Sequence, residues 1–228
     1  MKKIICSTLL LLITSCQNTQ TINISPNNEI KQNTKISSKT GIIKADNTGL
    51  FPSTVGYTWN YDVVFHPTDD PYVDYPGTYT LEVDKSRKTN NQTTINLKGI
   101  DSLNNEYNFP VLNIGKDKVD LKGITYLGFG GLPADGHNIE FLHLPFKEGE
   151  KWDDKLWTGQ TMKKEKVTIP SGTFEAWKIS VIGTYQQAYT AVGNYWITPG
   201  IGIIKSELSV PNWTLETVLT SAAVKSKK

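Results

Sequence analysis

From about residue 50 onward, apolar and polar residues alternate one by one. In "TWNYDVVF" Trp59, Tyr61, Val63 and Phe65 share one face, with Thr58, Asn60 and Asp62 opposite. "TYTLEVD" repeats the pattern with Tyr79, Leu81 and Val83, and "TINLKGI" with Ile95 and Leu97. Further such stretches are "KVTI" (166–169), "EAWKISVI" (175–182), "GIIKSEL" (202–208) and "WTLETVLT" (213–220). A period of two, rich in Val, Ile, Thr, Tyr and Trp, predicts half-buried antiparallel strands. Turn residues punctuate them at Pro76-Gly77, Asn90-Asn91, Ser171-Gly172, Pro199-Gly200 and Pro211-Asn212. The only helical segment suggested is short, "YQQAYTAVG" (185–193). The pattern thus predicts one mainly β domain over residues 49–221, with at most one or two short helices and a basic, disordered tail at 222–228.

The pattern at the front is different. Lys2 and Lys3 precede an apolar run from Ile4 to Ile13, interrupted only by Ser7 and Thr8. As a helix it spans about 15 Å, half of a bilayer core of about 30 Å, which predicts an export signal and not a span. Ile13-Thr14-Ser15-Cys16 comes next. It resembles the lipobox of bacterial lipoproteins, which implies signal cleavage between Ser15 and Cys16 and diacylglyceryl and acyl modification of the Cys16 thiol. Two or more chains on one residue suffice for stable anchoring to a membrane. Cys6 would leave with residues 1–15, so the mature chain would hold no thiol for a disulfide, a metal or a nucleophile.

Residues 16–48 are dominated by Asn, Gln, Thr, Ser and Lys and lack aromatics. They read as a flexible tether whose r.m.s. reach is roughly 30 Å. The chain carries 24 basic and 22 acidic residues. Removing Lys2 and Lys3 balances the mature protein, which gives no electrostatic case for nucleic acid. No cofactor is expected beyond the acyl groups on Cys16.

One motif recurs. Pro52, Gly56 and Trp59 stand in P-x3-G-x2-W, and so do Pro145, Gly149 and Trp152. Proline and glycine would set a turn, and tryptophan would enter the core as the next strand begins. The echo stops at the tryptophan, so it predicts two similarly built strand starts in one domain.

"FPSTVGYTWNY", "LPFKEGEKW", "VTIPSGTFEAWKISV" and "YWITPGIGIIKSE" together resemble a group of bacterial envelope lipoproteins sometimes called TapB-like. Its turn of Val-Pro-Ala-Gly-Thr-Phe type is matched from Pro170 to Phe174, with Ser171 in place of alanine. Tyr195-Trp196 and Pro199 to Gly202 match its closing strand. The resemblance covers residues 51 to about 208 and implies one curved antiparallel sheet or half-barrel, similar to the carriers of lipoprotein localisation. It brings no catalytic residue.

Candidate chemistry is sparse. In "HPTDDPYVDYPG" Asp69, Asp70 and Asp74 offer hard oxygen ligands to calcium, although three prolines equally suit a plain exposed loop. His66, His137 and His143 lack the spacing of a helical zinc pair. "GFGGLPADG" (128–136) lacks the Gly-Lys-Ser/Thr ending of a phosphate loop and reads as a connection between strands. Trp157 in "DDKLWTGQ" does not fit the alternation cleanly and stands as a candidate to line a ligand mouth or stack on a sugar.

The leading expectation is a non-catalytic, lipid-anchored envelope lipoprotein that binds an apolar ligand or envelope component in a concave sheet. A scaffold lipoprotein with a packed interior, partnering another envelope protein, is the alternative. A hydrolase would require two carboxylates or a Ser/His pair to converge in a cleft. Gln17 after the modified cysteine implies the outer membrane in a two-membrane host, and otherwise the outer face of the plasma membrane.

Overall fold

The structure, a computed structural model, describes residues 43–45, 49–68, 74–101, 106–124, 133–154, 157–185 and 189–224. Six strands make the first half: β1 (Tyr57–Pro67), β2 (Tyr75–Lys88), β3 (Thr93–Asp101), β4 (Glu106–Ile114), β5 (Lys118–Ile124) and β6 (Pro133–His143). The second half holds β7 (Lys151–Asp154), β8 (Trp157–Ile169), β9 (Gly172–Tyr185), β10 (Tyr189–Thr198), β11 (Gly202–Val210) and β12 (Trp213–Val224). Each strand pairs antiparallel with the next, except across β6 and β7, and β12 returns to pair with β1. The result is a 12-stranded meander rolled into a nearly closed barrel, with β6 and β7 as its two edges.

The predicted strands are all present, and their apolar faces point inward. Trp59, Tyr61 and Val63, then Tyr79, Leu81 and Val83, then Ile95 and Leu97 are buried, as the alternation requires. Among the described residues there is no helix. Of the segment read as helical at 185–193, Tyr185 is instead the end of β9 and residues 189–193 begin β10, while 186–188 lie outside the described residues. Its inward positions hold Ala191 and Gly193, paired with Gly183 and Val181. Small residues there carry too little apolar contrast to show the period of two. Pro76-Gly77 is likewise strand and not turn, paired with Val64 and Val63. Among the described residues the β2–β3 ladder begins at Tyr79, so there Pro76 has a ladder partner only on the β1 side. The ordered domain also reaches past 49–221 at both ends. β12 continues to Val224 with Ala222 fully buried, and Ile43 bridges to Ala222.

The chain enters β1 where β12 ends, and this end of the barrel is called the root; the opposite end is the rim. At the root Phe51 packs inside, the Trp59 indole donates to the Ile201 carbonyl at 2.6 Å, and the Tyr61 hydroxyl donates to Ile203 at 2.9 Å. A cavity of about 10 Å³, lined by Phe51, Trp59, Tyr61, Leu81, Leu112 and Ile203, remains there, room for about one water.

The recurring motif builds two matching strand starts. Gly56 and Gly149 adopt φ of 82° and 80°, the left-handed region that favours glycine. The preceding turns close identically, Tyr57 N–H to Thr54 at 3.0 Å and Glu150 N–H to Lys147 at 3.0 Å. Each glycine N–H then bonds the neighbouring strand, Gly56 to Val83 at 2.9 Å and Gly149 to Thr161 at 2.8 Å. Immediately beyond each acceptor the ladder bulges, between Val83 and Lys85 and between Thr161 and Lys163. Trp59 and Trp152 follow the glycines into the core, at 3% and 7% exposure.

Candidate functional site

Two places in the barrel wall differ from a plain ladder. The first is the seam between β6 and β7. Here one residue of the β6 edge, Glu140, has both main-chain groups satisfied by side chains from across the gap. Its N–H donates to Asp154 Oδ2 at 2.8 Å, and its carbonyl accepts from Trp152 Nε1 at 3.1 Å and Trp157 Nε1 at 2.9 Å. Trp152 can lie flat against the wall because its cross-strand partner is Gly159; a Cβ at position 159 would fall inside the indole. Phe141, next along β6, packs on Trp157 at 6.1 Å and edge-on to Tyr195 at 5.1 Å.

Polar groups extend this seam outward. His143 Nδ1 lies 2.8 Å from Glu140 Oε1, Nε2 lies 3.8 Å from Glu150, and the ring stacks on Trp152 at 6.3 Å. Lys118 bridges to Asp120 at 2.9 Å. That hydrogen bond, helped by the charges of Asp120, Glu140 and Asp154, raises the Lys118 pKa. Among the described residues these groups satisfy one another, and no cluster of three or more His, Cys, Asp or Glu side chains is arranged to hold a metal.

The second place is the rim. Phe65 on β1 stands opposite Leu215 of β12 and Tyr75 of β2, and Trp213 starts β12. Two residues deeper, Val63 and Leu215 are buried, so these aromatics lie on the inner face where the barrel opens. Phe65 is 6.1 Å from Tyr75 and 5.5 Å from Trp213, ring centre to ring centre. Tyr75 is 56% exposed. On the outer side His66 Nδ1 meets Asp74 Oδ1 at 2.6 Å. The rim therefore presents tilted aromatic faces to solvent above a closed apolar floor.

The structure redistributes the residues that the sequence singles out. Trp157 does not line a mouth: it is 4% exposed, and its indole N–H is committed to Glu140. It breaks the alternation because it caps the seam. Asp74 of the acidic loop pairs with His66, whereas Asp69, Asp70, Ser15 and Cys16 lie outside the described residues. Of "GFGGLPADG" the part from Pro133 on belongs to β6, and the rest lies outside the described residues. The rim cluster is hidden in the sequence because Phe65, Tyr75 and Trp213 read as ordinary strand aromatics. Only strand order shows that three distant segments share one opening.

Residues 155–216, β8 into β12, match the family described as DUF3108-like. No curated protein matches the chain. Two crystal structures are similar in fold. One, described as a candidate exported protein with YmcC-like fold from Bacteroides fragilis NCTC 9343, has a TM-score of 0.53 at 14% identity, over 79% of this chain and 100% of that one. The other, described as a candidate lipoprotein from Parabacteroides distasonis ATCC 8503, has a TM-score of 0.50 at 15% identity, over 78% of this chain and 100% of that one. At such identities the likeness is one of fold.

Proposed function

We propose that the protein is a non-catalytic lipoprotein of the cell envelope, of the TapB-like kind, held to the membrane by acyl groups on Cys16 and binding an apolar ligand at its rim. The observation that carries the ligand reading is the inward-facing cluster in which exposed Tyr75 stands with half-buried Phe65 and Trp213. The lipobox and the descriptions of both structural neighbours support the envelope address, and Gln17 favours the outer membrane of a two-membrane host.

The test is to purify the chain from its host envelope and examine an organic extract by mass spectrometry. A bound lipid should be present, and Tyr75→Ala with Trp213→Ala should deplete it; an extract free of lipid would end the ligand reading. Separately, Cys16→Ser should move the protein out of the membrane fraction, and unchanged fractionation would refute the anchor.

The scaffold reading also has an observation in its favour, the filled interior at the root around a cavity of about 10 Å³. It predicts a defined partner on crosslinking in cells; monomer alone would count against it.

A further inference from the structure

The two matching strand starts have a charged sequel. Beyond the bulges at Val83/Lys85 and Thr161/Lys163, β2 and β8 run on past the levels of Gly56 and Gly149 and form hairpins with β3 and β9. The second is folded back so that Ser171 in its turn donates to the Leu219 carbonyl at 2.9 Å and Ile169 is buried. Both arms are lysine-rich at corresponding places: Lys85, Arg87 and Lys88 on one, Lys163, Lys164 and Lys166 on the other, all exposed. Three of these six have an acid at hand, Lys85 beside Asp84 at 3.9 Å, Lys163 at Glu165 and Lys164 at Glu175, both at 2.7 Å. Arg87, Lys88 and Lys166 have no ion pair among the described residues.

Both arms stand at the root, the end where the chain arrives. Lys44 is exposed there, between Ile43, which bridges to Ala222, and the start of β1. Lys116, also exposed, lies in the β4–β5 turn at the same end. The rim is of opposite character among the described residues: Asp74 is exposed there, beside His66. Exposed acids also stand at the root, Asp84, Asp117, Glu148 and Glu175, but its exposed Lys and Arg outnumber them. A chain with a nearly neutral total is thus polarised along the barrel axis.

We propose that the root, through its two lysine-rich hairpins, docks on the anionic headgroups of the membrane that anchors the protein, which turns the rim away from the bilayer. Two facts on the molecule choose this occupant: the charge sign, and the arrival at the same end of the segment that would carry the acyl groups. The inference rests on the lipid-anchored reading of Cys16. A flexible tether alone would let the barrel tumble, whereas basic side chains within a Debye length of anionic lipid add attraction residue by residue.

The experiment isolates the protein surface from the lipid anchor. The chain from Gln17 to Lys228, which contains the whole compact domain and no acyl group, is sedimented with vesicles of phosphatidylcholine alone or mixed with phosphatidylglycerol. It should bind the mixed vesicles at low salt, release at high salt and ignore the neutral ones. The combined change Arg87→Gln, Lys88→Gln and Lys166→Gln should weaken partition by on the order of a hundredfold. Asp74→Asn at the rim should leave it unchanged. No binding to either vesicle, equal binding to both, or indifference to the triple change would overturn the proposal. Cys16 is outside this assay, so a negative result leaves the fractionation test of the anchor standing.

Discussion

The barrel is closed at two places by different means. Where β12 meets β1, the register runs from Tyr57 opposite Val224 to Pro67 opposite Trp213, and side chains only supplement it. Thr58 Oγ1 donates to Ala223 at 3.0 Å, Asn60 Nδ2 to Ser221 at 2.8 Å, and Thr220 Oγ1 to Asn60 at 3.0 Å. Where β6 meets β7, three side chains converge on one residue. A ladder belongs to the main chain, so side-chain substitutions leave most of it intact. A lock of three side chains can be removed one bond at a time. The β6–β7 seam is therefore the part of the wall that single substitutions can open.

The largest expected effect sharpens that contrast. Trp157→Ala should destabilise the domain by about 3–5 kcal/mol, as for other buried aromatics. Trp59→Ala at the root should cost a similar amount. Hydrogen exchange tells them apart: Trp157→Ala should speed exchange in β6 and β7 while β1 and β12 keep their protection. Equal acceleration at both junctions would show that the seam is no weaker than the ladder.

Alkali probes both sides at once. Tyr61 and Tyr79 lie beside the laddered junction, and Tyr195 lies under the seam against Phe141. Burial pushes all three phenols far above their ordinary pKa of 10.0. The unfolded chain releases these protons near its ordinary pKa while the folded one keeps them. The stability they confer is thus intact below pH 10 and falls as pH rises beyond it, by about 1.4 kcal/mol per pH unit for each phenol. Denaturation series above pH 10 should show the combined slope, and Tyr195→Phe should reduce it by one phenol's share. An unchanged slope would mean that the seam side is wetter than its packing indicates.

The same contrast explains which parts of this architecture the sequence reveals. Strands such as Tyr57–Pro67 and Tyr75–Lys88 are legible because one face meets the core and the other meets water, and the period of two records it. The P-x3-G-x2-W echo is legible because left-handed turns need glycine and the tryptophan fills the core at the strand start beyond. The seam is not legible, since Glu140 acts through its main chain, which any residue type carries, and Asp154 looks like any surface carboxylate. Trp157 shows only as a break in pattern, a signal that something other than a ladder holds it. The rim and the paired lysine arms need strand order, because Phe65 and Trp213, or Lys88 and Lys166, are far apart in the chain.

A smaller effect tests the steric side of the seam. Gly159→Ala would place a methyl group where the Trp152 ring lies, so the indole must shift and its bond to Glu140 lengthen or break. The expected cost is about 1–3 kcal/mol, the usual range for overpacking, read from the denaturant midpoint. Adding Trp152→Phe should recover part of that loss, because the smaller ring leaves room for the new methyl. Additive losses in the double variant would mean that the two residues do not compete for one space.

The smallest effects divide the two closures most sharply, because the same chemical loss is made in each. Trp157→Phe keeps an aromatic ring against Phe141 and deletes one indole donor to Glu140. Thr58→Val keeps the side-chain shape and deletes one hydroxyl donor to Ala223. Each should cost about 1 kcal/mol, the net worth of one hydrogen bond. Their local consequences should differ. At the ladder, main-chain bonds on either side of Ala223 persist, so exchange there should rise no more than global stability requires. At the seam the deleted bond is one of the three that hold the Glu140 main chain, so β6 amides around Glu140 should open locally and exchange faster than the global loss accounts for. If both variants instead showed only the global change, the two junctions would be equivalent despite their construction, and the seam would have to be held by the packing of Phe141 and Trp152 and not by its hydrogen bonds.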